Sequence, residues 1–351
     1  MLKTKLFTAI AVVAALLLLA PAAYAAEGTT TGSFGAASST PEVTAVNIYD
    51  TTDPNCVGAP ITDMTPQTEY YYAKVSVNSS SKLKTLETVQ ATLFYNDGVN
   101  PNMPAPVAGN VHNCAILTCT IGAPPGYAIT WSSDFGISTT WTLHEAGCQS
   151  PASLDVNSGD WIFAFEPGTV TRENTGAAMW NVQGYAENRN DSKNDDLYVR
   201  DKNMMWYGEI AVSTPSVAWG DVPLGLTFED ATYNPETGIN VNYIANGDYS
   251  EDIRSSDNWT GAVSLEVVTL DVTGGNPPAA DSEFALEAND TTDNVTAITV
   301  TDSYNDIDDT GLITEEVGDT INTNTLWLSI SAAGIVPDTY SGSIYYQISN
   351  R

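Results

Sequence analysis

The sequence predicts an all-β fold: two Ig-like antiparallel β-sandwiches in tandem, behind a cleaved signal peptide. Three observations predict it. Beyond residues 1–25, helical periodicity is nearly absent, whereas apolar and polar residues alternate with a period of two along most of the chain. The alternating runs are short and are separated by Gly, Pro, Asn and Asp, the residues that tolerate tight turns. A chain of 351 residues, 42 % hydrophobic and 9 % aromatic, also has enough apolar side chain for two cores of ordinary domain size, ~100–200 residues each.

The first element is the export signal, residues 1–25. Lys3 and Lys5 give a short positive start, Leu6 to Leu19 is an unbroken apolar and small-residue run, and Ala23-Tyr24-Ala25 fits a small-x-small cleavage site. A membrane anchor is the competing reading, but the run is short for a bilayer span and ends in Pro21 and small residues. Cleavage places the mature start near Ala26. No later stretch is long and apolar enough to span, so no integral membrane anchor is expected and the location is extracellular, at the cell surface. Residues 26–41, rich in Gly, Ser, Thr and Ala, are expected to form a flexible N-terminal arm.

The first sandwich is expected over 42–212. In EYYYAKVSV, Tyr71, Ala73, Val75 and Val77 fall on one face, with Tyr70, Tyr72, Lys74 and Ser76 on the other. Val89, Ala91, Leu93 and Tyr95 alternate likewise before the turn Asn96-Asp97-Gly98. Further strands are expected at 42–50, 127–133, 139–145, 160–167, 178–187 and 204–212. Ser213-Thr214-Pro215-Ser216 reads as a linker to a second sandwich, 213–351, with strands expected at 226–231, 238–246, 262–272, 282–288, 294–302, 324–331 and 340–349. In the last of these, Tyr340, Gly342, Ile344, Tyr346 and Ile348 share a face.

Charge excludes whole classes of partner. The formal net charge is −31, and removing residues 1–25 takes away two lysines and no acid, giving −33. The excess is uneven: 26–212 carries −12, whereas 213–351 carries −21, with Arg254 and Arg351 as its bases. A nucleic-acid partner is excluded by the lack of a basic patch, and an anionic membrane surface is disfavoured for the same reason.

Cys56, Cys114, Cys119 and Cys148 all lie in the first half, and an even count in an exported chain predicts two disulfides of undetermined pairing. His112 and His144 sit near Cys114 and Cys148, but the spacings match no zinc ribbon or finger. Nucleophile, zincin and phosphate-loop motifs are absent, and with two histidines in the chain a triad has little to draw on. The 43 acids do not by their number mark a glycosidase pair, which requires buried carboxyl groups of shifted pKa. The expectation is no enzyme.

Calcium is the better use of the acids. Asp306, Asp308, Asp309 and Thr310 open like a Ca2+ loop, Asp-x-Asp-x-Thr-Gly, although Val317 stands where the closing Glu belongs and Glu315 and Glu316 are only nearby. Asn190–Asp196 and Asp248–Asp257 are two further oxygen-rich segments, and all three are read first as polar turns in which Asp and Asn bond the backbone. Asn78, Asn190, Asn258, Asn289 and Asn294 stand in N-glycosylation sequons, candidate sites for glycans. Trp141, Trp161, Trp180 and Trp327 are expected in the cores.

Nearly all of 42–351 resembles exported surface proteins of archaea, most closely a type common in methanogens. The resemblance rests on EVTAVNIYDTT, MTPQTEYYYAKVSVNSSSKLKTLETVQATLFYNDG, the junction MMWYGEIAVSTPSVAWGDVPLG, SSDNWTG and the closing LWLSISAAGIVPDTYSGSIYYQISNR. It implies a structural role in a surface layer, sheath or extracellular filament. Many archaeal surface-layer proteins end in a membrane anchor that this sequence lacks, which favours sheath or filament. The residues suggest how copies would join into a homo-oligomer or polymer: an open sheet edge accepts a strand from a neighbour, and the arm 26–41 and strand 340–349 are the segments best placed to take part. The alternative is an exported adhesin or carbohydrate-binding module.

Overall fold

The computed structural model describes residues 39–67, 70–96, 113–136, 140–176, 178–194, 197–311 and 320–351. The signal peptide, the arm up to Ser38, His112 and residues 315–317 lie outside them. The fold class is as expected: all-β, two sandwiches in tandem, with two short 3-10 turns as the only described helical segments.

The first sandwich contains β1 (Glu42–Tyr49), β2 (Asp63–Met64), β3 (Tyr71–Asn78), β4 (Leu86–Asn96), β5 (Cys114–Ile121), β6 (Ile129–Asp134), β7 (Thr142–Leu143), β8 (Ser158–Glu166), β9 (Met179–Asn188), β10 (Lys193–Asn194) and β11 (Tyr198–Met204). One sheet runs β1-β3-β8-β7 and the other β2-β11-β9-β4-β5-β6, with β10 beside β9. The period-two faces meet between them: Tyr71, Ala73, Val75 and Val77 pack against Val89, Ala91, Leu93 and Tyr95, together with Trp141, Trp161 and Trp180. Burial of these faces is the main stabilising term, at ~25 cal/mol per Å2 of apolar surface. Gly184 lets the sheets approach, since a Cβ there would lie 2.7 Å from Val43 Cγ1.

The second sandwich contains β12 (Gly208–Val212), β13 (Glu236–Ala245), β14 (Tyr249–Ser255), β15 (Asn258–Gly261), β16 (Val267–Leu270), β17 (Glu283–Asn289), β18 (Ile298–Val300), β19 (Asn305–Gly311), β20 (Thr320–Ile330), β21 (Tyr340–Ser341) and β22 (Ile344–Asn350). Its large sheet runs β12-β13-β20-β17-β16-β15-β21, with β18 beside β17, and its small sheet runs β19-β14-β22. Leu286, Leu326, Leu328 and Ile253 are at the centre of the core between them. Pairings are antiparallel except for β2 with β11 and β16 with β17.

Several elements differ from expectation. The run 204–212 is divided: Met204 ends β11, while Gly208–Val212 pairs with β13, so the chain changes sheets ahead of Ser213–Ser216. Residues 226–231 form turns, not a strand, although Leu226 and Phe228 are buried. Asp248–Asp257, read as a polar turn, is mostly β14, whose alternate residues Tyr249, Glu251, Ile253 and Ser255 are buried.

The sandwiches meet through loops. Asn246, fully buried, donates from Nδ2 to the carbonyl oxygens of Thr171 and Met205, 2.8 Å each, and accepts from the Tyr207 amide at 2.7 Å. Its own carbonyl accepts from the Glu173 amide, and Asn350 Nδ2 donates to Glu173 Oε1. Ser38–Arg351 thereby forms one compact unit.

Candidate functional site

β12 pairs only with β13, and β22 only with β14, so each has one edge without a strand partner among the described residues. Near the junction the two edge strands close over one small cluster, where Ile210 and Ile348 pack with Tyr243 and Tyr346. Further along they diverge. Thr214 Oγ1 donates to the Gly238 carbonyl and accepts from the Asn240 amide, which holds the outgoing chain on β13 as far as Pro215. The segment then runs to Trp219, while β21 and the Gly342-Ser343 corner form the opposite wall.

Between the walls lies a cleft of about 360 Å3. Its apolar lining includes Val212, Val217, Ile239, Leu326 and Ile344, and its aromatic lining is Trp219, Trp259, Tyr340 and Tyr346. The two indoles stand 6.2 Å apart, and Trp259 packs on Phe284 at 4.6 Å. Trp259 Nε1 donates to Ser255 Oγ at 3.3 Å, and Tyr340 Oη to the Val336 carbonyl. Trp219 Nε1 is buried and has no acceptor. Such a donor is costly to leave unpaired, so this wall of the cleft carries a local penalty within the fold.

The four cysteines, expected to form two disulfides, are all free thiols in the structure. Cys119 faces the main core, whereas Cys56 and Cys148 pack outside the first sheet with Tyr72 and Ile162. Burial pushes the thiols of Cys56, Cys114 and Cys119 up to about 12, and that of Cys148 up to about 11. Thiols held so far from ionisation are poor nucleophiles and poor metal ligands. Cys114 and Cys119 occupy one strand, ~17 Å apart along it, which is too far for a disulfide between them. His144 Nε2 is 3.2 Å from Glu166 Oε2, an ion pair when the imidazole is protonated.

The calcium candidates Asp306, Asp308, Asp309 and Thr310 lie on strand β19, with Asp306 opposite Asp252 and Asp308 opposite Glu251 on β14. Among the described residues no three His, Cys, Asp or Glu groups are gathered as a metal site. Of the sequon residues, Asn78, Asn190 and Asn258 are exposed and Asn294 is half-buried. Asn289 is 6 % exposed, and its Nδ2 donates to the Asp293 carbonyl and to Thr296 Oγ1, so both amide hydrogens are engaged inside the fold.

Sequence reasoning missed Glu251. It is fully buried, and its carboxylate accepts from Tyr243 Oη, Asn322 Nδ2 and Asn324 Nδ2. The signal was present in YSEDIRS, where Glu251 alternates with Tyr249 and Ile253, but its flanking acids made the stretch look like a turn. Glu287 was missed as well. It sits opposite Trp327 on the outer face of β17, where burial and the neighbouring Glu229 push its carboxyl up to about 7. Trp141, Trp161, Trp180 and Trp327 are buried, as expected.

Fold and site together define a tandem β-sandwich protein whose second sandwich is open along one side. No protein-family model matches the chain, and no curated protein matches it in sequence. Among solved structures it is similar to the 35 kDa C-terminal fragment of the major pilin GBS80 of Streptococcus agalactiae, at 13 % identity over 87 % of this chain and 90 % of that one, with a TM-score of 0.21. At that score the likeness carries no argument about function. No helix among the described residues is long and apolar enough to cross a membrane.

Proposed function

We propose that the chain is an exported, non-enzymatic subunit that assembles with copies of itself into an extracellular filament, sheath or surface layer by strand addition. The observation that carries this reading is the apolar cleft flanked by the unpaired edges of β12 and β22. Backbone groups on an open edge supply affinity, and an apolar groove beside them supplies specificity. The export signal and the resemblance to archaeal surface proteins agree with it. A mature charge of −33 opposes association of like faces, so assembly requires screening by salt or bridging by cations such as Ca2+. Asp252 facing Asp306 across β14 and β19 is one place where such repulsion is local. Asn78, Asn190, Asn258 and Asn294 are the positions where glycans would attach, and any disulfides would form on export, in pairings other than Cys114 with Cys119.

Electron microscopy of negatively stained mature protein, with sedimentation at low and high salt and with Ca2+ or EDTA, tests the reading. Polymers that appear with salt or Ca2+ support it, and a monomer under every condition overturns it. The second reading, a carbohydrate-binding module, is favoured by the aromatic lining from Trp219, Trp259 and Tyr340. It predicts a monomer whose Trp emission shifts with particular glycans.

A further inference from the structure

We infer that the occupant of the cleft is residues 26–37 of a second copy of this chain, so that subunits join head to tail. The inference rests on the assembly reading and specifies its contact.

Position comes first. Ser39 is fixed at the far end of the first sandwich, where Asn188 Nδ2 donates to its carbonyl at 2.9 Å and its own amide donates to Ser81 Oγ. Asn188 ends β9, and the other end of β9 lies beside the junction, since Trp180 pairs with Lys202, whose carbonyl accepts from Asn174. From Asn246 at the junction, β12 then runs from Gly208, opposite Ala245, to Val212 at the cleft. Ser39 is therefore separated from the cleft by the length of β9, ~30 Å, and that of β12, ~13 Å. Fully extended, the chain from Ser39 back to Ala26 spans ~47 Å at most, so only its tip could reach the cleft of its own chain, whereas Phe34, five residues from Ser39, reaches no more than ~18 Å and could not.

Composition fits as well. The segment AEGTTTGSFGAA has one large apolar residue, Phe34, among Gly, Ala, Thr and Ser, and one acid, Glu27. Phe34 suits the space beside the Trp219 and Trp259 rings, and its small neighbours allow close backbone approach. A nearly neutral segment also enters a domain carrying −21 without the repulsion that a whole acidic face would meet. Donor at one pole and acceptor toward the other make a heterologous contact, which propagates into a filament unless it closes as a ring.

The test uses two complementary variants of the mature protein. Deleting residues 26–37 leaves the compact unit Ser38–Arg351 intact and removes the donor. Ser216→Trp, at an exposed position on the cleft wall, fills the acceptor. Each variant alone is expected to be monomeric by light scattering under conditions where the wild type polymerises, and an equimolar mixture is expected to stop at dimers. A synthetic peptide of residues 26–37 is expected to shift the Trp emission of the deletion variant, and the same peptide carrying Phe34→Asp to have at least tenfold weaker effect. Polymers from either variant alone overturn the arm-in-cleft contact while leaving self-assembly standing. Failure of the wild type to polymerise at any salt or Ca2+ concentration overturns both. A glycan that shifts the emission when the peptide does not assigns the cleft to sugar instead.

Discussion

Gly342 lies against the indole of Trp259 so closely that a Cβ at 342 would overlap the ring. The pair fixes one wall of the cleft, because Trp259 is held from its other side by Phe284 and by the bond to Ser255 Oγ. Gly342→Ala must displace the indole or the β21–β22 corner. Overpacking of this kind costs ~1–3 kcal/mol. The expected outcome is a lower Tm, a red-shifted Trp emission and loss of polymer. Unchanged emission and assembly would show that the wall yields without consequence.

The cysteines give a second prediction, for the reduced protein. With Cys56, Cys114 and Cys119 pushed up to about 12 and Cys148 up to about 11, the thiolate fraction at pH 8 is small and the sulfurs are shielded. Iodoacetamide at pH 8 is expected to label the native fold at least tenfold more slowly than the urea-unfolded chain, as counted by mass spectrometry. In protein oxidised during export, peptide mapping is expected to find no bridge between Cys114 and Cys119. Rapid native labelling would place a thiol at the surface.

Much of the fold was legible in the sequence because a half-buried strand records its own burial. Tyr71 to Val77 and Val89 to Tyr95 alternate as they pack, and the core Trp residues were recognisable from the strands that carry them. Legibility failed where chemistry and burial disagree. β14 buries Glu251 with three hydrogen-bonding partners, and no local rule predicts a satisfied carboxylate inside a core. β5, Cys114–Ile121, does alternate, with Leu117, Cys119 and Ile121 buried and Thr118 and Thr120 between them, but its two cysteines drew the reading toward disulfides instead of a strand. The cleft was invisible for another reason: it is made by residues far apart in sequence, Trp219, Trp259 and Ile344, and exists only once both sheets are in place.

Glu287 makes stability depend on pH. Its carboxyl titrates near 7 in the fold and lower in the unfolded chain, so the unfolded state releases its proton first as pH rises. The neutral group favours the fold fully below the unfolded value, and that advantage is lost as pH climbs toward and past 7. Glu287→Gln keeps the neutral shape at every pH. The variant is therefore expected to melt above the wild type at pH 8 and level with it at pH 4.5, as measured by scanning calorimetry. An offset that does not change between these pH values would mean that Glu287 titrates normally.

Asn246 couples the two sandwiches, and its removal should separate them. One side chain satisfies the Thr171 carbonyl, the Met205 carbonyl and the Tyr207 amide, all at a junction where the contacts are otherwise between loops. Asn246→Ala leaves these three backbone groups without that partner, at a cost of ~1–3 kcal/mol for each one that stays buried and unpaired. Each sandwich keeps its own core, so the damage falls on the coupling rather than on either fold. Calorimetry of the variant is expected to resolve two transitions where the wild type gives one, with faster proteolysis between Met205 and Ser216. Asn246→Asp, which keeps an acceptor for Tyr207 but turns a buried carboxylate onto the two carbonyl oxygens, is expected to be at least as disruptive as Asn246→Ala at neutral pH. A single transition in Asn246→Ala, merely shifted, would show that the sandwiches cooperate through contacts other than this residue.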